Sequence, residues 1–249
     1  MSACRERLLR GLGSGRMQLR YSAVMLTRGW HAAIAVLVFG AIALQVLIAV
    51  RVSGTPPEVT TGLLRGASLA GRIIRVFSFF TIQSNLLCGV VSAQLAARPD
   101  RDGPAWRPLR LAALFGITVT GIVYSTVLAA IHQPNGPAET AVNLVVHYLV
   151  PISMIVGWLA FGPRPRIERR TVLRSLLFPV LWLAYTLIRG AVWAWYPYPF
   201  VDAAVHGYLR IAANGVLVTL VLGAVAGLFA LGDHRLPPAP RTREGPPHH

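Results

Sequence analysis

Six apolar runs organise the chain: Trp30 to Val50, Val76 to Ala97, Leu111 to Ile131, Ala141 to Phe161, Leu176 to Trp195 and Ile211 to Leu231. Each is long enough to cross a hydrocarbon core of about 30 Å, which takes roughly 20 helical residues. The runs are too continuous for a membrane barrel, whose strands alternate lipid-facing and lumen-facing residues. Only helices and closed barrels satisfy the backbone in lipid, so a helical bundle is left. The expected fold is all-α, a polytopic bundle of six transmembrane helices occupying residues 30–232. An arginine-rich segment precedes it at 1–29, and a Pro- and Arg-rich tail expected to be disordered follows at 233–249.

Composition agrees with that class: 54% of the 249 residues are hydrophobic, 13% are charged, and mean hydropathy is +0.55. Every one of the 24 basic residues is arginine, and eighteen of them fall in 1–29, 98–110, 163–174 and 233–249, all on one side of the predicted membrane. The positive-inside rule then makes both termini cytoplasmic in a multi-pass cell-membrane protein. The net charge of +15 reads as orientation and attraction to anionic headgroups. Scattered over short loops, the arginines do not form a nucleic-acid footprint. The first run is longer than a signal-peptide core, which points to an uncleaved anchor. Cys4 lies in the cytoplasmic segment and Cys88 within the second span, so no disulfide is expected.

Polar residues inside the spans carry the candidate chemistry, because such groups are costly in lipid. In span two, Ser78, Thr81, Ser84, Asn85, Cys88 and Ser92 recur at three- and four-residue steps, forming one face that should point into the bundle. Spans two and four both run from the outside inwards. Thr81 and His147 each lie a few residues past the start, about 10 Å below the outer boundary at 1.5 Å per residue. Two readings of each are open. Thr81 is either a reactive hydroxyl or one of the small polar residues common at membrane helix contacts. His147 is either a catalytic base or a hydrogen-bonding strut between helices. Pro151 removes the donor that the His147 carbonyl would normally receive, so a kink is expected there.

Span five adds Trp182, Tyr185, Arg189 and Trp193 at about one-turn spacing, followed by an aromatic and proline run from Trp195 to Phe200 that reads as an interface anchor. Arg189 is placed to snorkel outward, to pair with Asp202, or to hold a carboxylate headgroup. His132, His147, His206 and Asp202 share the outer side, but their spacings match no metal-ligand signature. The six runs contain no carboxylate of the kind that a proton-coupled transporter uses.

Taken together, the six spans, Thr81 at the start of span two, His147 followed by Pro151, and the stretch from Tyr185 to Tyr196 and Pro197 resemble the androgen-induced gene family, and more closely its bacterial six-span relatives. Animal members are intramembrane hydrolases of fatty acid esters of hydroxy fatty acids with a threonine nucleophile and a histidine. The resemblance implies those roles for Thr81 and His147. It also implies a hydrophobic ester substrate drawn from membrane lipids, with no cofactor and no metal. A neutral histidine is the usual base for a hydroxyl nucleophile, and burial favours the neutral form. An oxyanion formed in a dry site needs donors, for which Gln83, Asn85, Tyr124 and Arg189 are the candidates. Asn143, one turn before His147, orients it at best weakly, and Tyr185 completes the set of substrate-side candidates. The alternative is a non-catalytic membrane sensor, scaffold or regulatory protein whose polar face is packing alone.

Overall fold

The computed structural model describes residues 2–51 and 66–237, with side chains at residue 18, 21–51 and 66–237. Cys4, the connection carrying Pro56, Pro57 and Gly62, and the tail from residue 238 lie outside the described side chains. Among the described residues every regular element is helical. The order is α1 (Ser2–Arg51), α2 (Leu69–Ser78), α3 (Phe80–Ala97), α4 (Trp106–Val123), α5 (Gly136–Leu144), α6 (Val150–Phe161), α7 (Arg169–Ser175), α8 (Leu177–Trp193), α9 (Ala203–His206) and α10 (Tyr208–Arg235). Six of the helical stretches are long and apolar enough to cross a membrane, and they fall on the six apolar runs of the sequence. The protein is a multi-pass membrane bundle.

Within it, α3 runs between α1 and α4, and α4 is the most enclosed helix. Close approach depends on small residues, as expected where lipid gives helices no hydrophobic reason to associate. A Cβ at Gly89 would stand 2.9 Å from Val38 on α1, and one at Gly116 would stand 3.1 Å from the Ser84 hydroxyl on α3. Phe115, Leu111, Ile117, Val91 and Leu95 fill the core between these helices. The predicted inward face of span two is realised: Ser78, Thr81, Ser84, Asn85, Cys88 and Ser92 are all buried.

The arginine-rich connections gather at one end of the bundle. Arg28 donates to the Ala96 carbonyl, Arg166 to that of Arg101, and Arg107 bridges Asp102 and Glu168. Asp233, placed in the tail by sequence, is a buried residue of α10. It accepts from the backbone N–H groups of Arg166 and Ile167 and locks the end of the last helix to the connection before α7.

The second span is not one helix. It breaks after Ser78, where Phe79 takes an extended conformation, φ −69° and ψ 133°. A break strands backbone carbonyls that need donors in a low-dielectric setting. Trp182 Nε1 on α8 donates to the Ser78 carbonyl at 2.9 Å, and Gln83 Nε2 reaches back to that of Phe77 at 2.9 Å. Tyr185 Oη meets Ser78 Oγ at 2.9 Å.

Candidate functional site

The break places Thr81 on the first turn of α3 instead of the interior of a longer helix. First-turn N–H groups lack intrahelical acceptors and carry the positive end of the helix dipole. Tyr198 takes up that position. Its hydroxyl lies 3.3 Å from both the backbone N and the Oγ1 of Thr81. Phe79 packs edge-on against the same ring at 5.5 Å, and Phe200 stacks on it at 5.1 Å. Burial pushes the Tyr198 hydroxyl pKa up, so the group stays protonated and able to donate. Asn214 on α10 donates to the Phe200 carbonyl, fixing the short 3-10 turn Pro199–Val201 that follows Tyr198.

Across the cavity, the kink expected at His147 takes the form of a π-helical turn, Val145–Leu149. Pro151 offers no N–H, and the Val150 N–H bonds Val145 five residues back. The Val146 carbonyl is thereby released, and Asn85 Nδ2 takes it at 3.1 Å while also donating to the Thr81 carbonyl at 2.9 Å. A second π turn, Tyr124–Leu128, closes α4. It carries the Tyr124 ring onto the His147 imidazole, 3.7 Å between centroids and 14° from parallel. Asn143 Oδ1 lies 2.8 Å from His147 Nδ1; an amide oxygen accepts, so Nδ1 carries the proton and Nε2 keeps its lone pair. The orientation by Asn143 is thus firmer than same-helix spacing suggests.

Thr81, Tyr124, Asn143, His147 and Tyr198 line one cavity of about 290 Å³, together with His132 and Glu139. The structure therefore brings Thr81 and His147 into one chamber, although no hydrogen bond joins them. Four residues nominated from sequence are employed elsewhere. Gln83 and Tyr185 secure the helix break, and Asn85 clamps α3 to the π turn. Arg189 is buried with its guanidinium 4.7 Å over the Trp195 ring and 5.9 Å over Trp193. It does not pair with Asp202, whose carboxylate caps α9 by accepting from Ala204 and Val205. Arg75 faces the same indole at 5.1 Å, and its pKa is lowered by partial burial and then by the nearby Arg189 charge.

Tyr198 is the residue that sequence reasoning missed. The run from Trp195 to Phe200 read as an interface anchor, and only the fold shows that one of its hydroxyls turns inward. Position 190 admits this return of the chain because it is glycine: a Cβ there would overlap the Tyr196 ring. Among the described residues no three His, Cys, Asp or Glu side chains converge as a metal site would require. No protein-family model, curated protein or solved structure matches the chain.

Proposed function

We propose that this protein hydrolyses lipid esters inside the membrane, with Thr81 as nucleophile and His147 as its base. The observation that carries the reading is the shared cavity: a threonine on the first turn of a helix and a histidine held by its Nδ1 line the same chamber. Thr81 Oγ1 adds to the ester carbonyl while its proton passes through one water to His147 Nε2. The oxyanion is met by first-turn N–H groups of α3 and by the Tyr198 hydroxyl. Collapse breaks the bond to the alcohol oxygen, which takes the proton from His147. Water then cleaves the threonyl ester, releasing a carboxylic acid and restoring the hydroxyl. This is the chemistry implied by the resemblance to the androgen-induced gene family, with membrane lipids as the source of the substrate.

Labelling the purified chain with a lipophilic alkyl fluorophosphonate tests the assignment. Adduct on Thr81 is expected, lost in Thr81→Ala and reduced at least tenfold in His147→Ala, with the thermal midpoint little changed. Adduct formation that survives Thr81→Ala would defeat it. A second reading, that the site is packing alone, is favoured by one observation: Thr81 and His147 each have a hydrogen-bonding partner already, in Tyr198 and Asn143. On that reading either alanine variant loses stability, by about 1 kcal/mol for a lost hydrogen bond, and the wild type turns over no ester.

Orientation belongs to the same proposal: the arginine-rich end faces the cytoplasm and the cavity lies in the outer half of the bilayer. A cysteine introduced at Asn135 is then labelled from outside intact cells. Labelling only after permeabilisation would reverse the assignment.

A further inference from the structure

A second cavity of about 330 Å³ lies on the far side of Thr81, walled by Val119 and Val123 of α4, Leu183 of α8, and Val218 and Leu222 of α10. It meets the first cavity at three residues, Thr81, Leu128 and Tyr198, which line both. The two chambers differ in character. The first is lined by His132, Glu139, Asn143 and His147. In the second, Asn214 Nδ2 and Thr219 Oγ1 donate to backbone carbonyls, Thr120 adds one hydroxyl without a hydrogen-bond partner, and the remaining wall is almost wholly aliphatic and aromatic. Its rim opens to lipid: Val127 is 53% exposed, Leu217 61% and Val218 37%, and all three lie in spans. The outer wall is α10, the least enclosed of the spanning helices.

We infer that this second cavity is an alkyl-chain site, entered sideways from the bilayer between α4 and α10. A chamber with so few polar partners does not hold water well. Within a membrane the medium at its rim is hydrocarbon. A lipid chain seated there ends at Thr81 and Tyr198, so the polar part of the same molecule projects into the chamber of His147. That the chain is the acyl limb of the ester rests on the proposed role of Thr81. That a chain occupies the cavity does not.

Photocrosslinking separates the two. The full chain in nanodiscs is irradiated with a palmitic acid analogue bearing a terminal diazirine, and the adducts are mapped by mass spectrometry. Adducts on Val123, Leu183, Val218 or Leu222 are expected, retained in Thr81→Ala and reduced about tenfold in Val218→Trp, which fills the chamber. Adducts confined to lipid-facing positions such as Val192, Leu220 and Leu228 overturn the inference, as does a yield unchanged in Val218→Trp. Should Val218→Trp not fold, Val123→Phe replaces it, and the wild-type map is decisive alone. Comparing p-nitrophenyl palmitate with the butyrate ester reads the acyl assignment. The wild type prefers palmitate, and the filled variant shifts preference toward butyrate by about tenfold. Chamber adducts with no turnover of either ester uphold the alkyl site and overturn the hydrolase. Turnover without chamber adducts does the reverse.

Discussion

The rings of Tyr124 and His147 lie face to face, 3.7 Å apart, because each belongs to a π-helical turn in a different span. A π turn widens the helix by one residue and displaces the side chains on it, and such turns are frequent at functional sites. Here both act on the same pair. One turn advances the phenol from α4, and the other keeps the imidazole against it. Tyr124 Oη also meets His132 Nδ1 at 3.0 Å, tying the stack to a second histidine that lines the cavity.

The stack makes Tyr124 a positioning residue for His147, and its ring matters more than its hydroxyl. Tyr124→Phe keeps the stack and loses the hydroxyl's contacts with His132 and the Asn143 side chain, so probe labelling of Thr81 stays within a fewfold of the wild type. Tyr124→Leu frees the imidazole, and a displacement of about 1 Å at a reacting group costs on the order of a hundredfold. The two labelling rates, measured beside the thermal midpoints, check this. Equal losses in both variants would assign the effect to the hydroxyl.

Asn85 is predicted to act on folding and geometry before chemistry. Its amide bridges the Thr81 and Val146 carbonyls, spanning the helix that carries Thr81 and the π turn that carries His147. Asn85→Leu leaves the Val146 carbonyl buried without its donor, a loss of about 1–3 kcal/mol. Unfolding in detergent should show that loss, and Asn85→Gln should not restore it, because the longer side chain overshoots both acceptors. A variant of wild-type stability with reduced labelling would instead return Asn85 to the oxyanion role suggested by sequence.

What the sequence discloses and what it hides divide along a physical line. Hydropathy over twenty-residue windows and helical periodicity are local properties, so the six spans and the buried face from Ser78 to Ser92 are legible. Equal depth in two spans of the same direction suffices to put Thr81 and His147 on one level. The break after Ser78 is not legible, since no glycine or proline marks it. Its carbonyls are satisfied by Trp182, more than a hundred residues away, and by a side chain reaching back from Gln83. Tyr198 is hidden for the same reason. An aromatic between prolines at a membrane boundary looks like an anchor until α10 and the helix break are placed around it.

The arginine-rich end supplies a prediction independent of any chemistry. Asp102 accepts from Arg107 Nε at 2.8 Å and Nη2 at 3.0 Å and from the Gly103 N–H at 2.9 Å, with Arg166 Nε at 3.7 Å. The Arg107 hydrogen bond, first among these causes, lowers the carboxyl pKa from 3.8 to about 2. Because the folded value lies below the unfolded one, the contribution is fully present above the unfolded pKa and is lost as pH falls through the folded value. The thermal midpoint should therefore decline between about pH 4 and pH 2 by more than in Asp102→Asn, which has no carboxylate to protonate. Asp102 is over a third exposed, so solvent and salt screen the pair and the decline is modest. Raising the salt concentration at neutral pH should move the wild type toward the variant. Identical acid profiles for the two proteins would mean that the Asp102 to Arg107 contact does not couple folding to protonation.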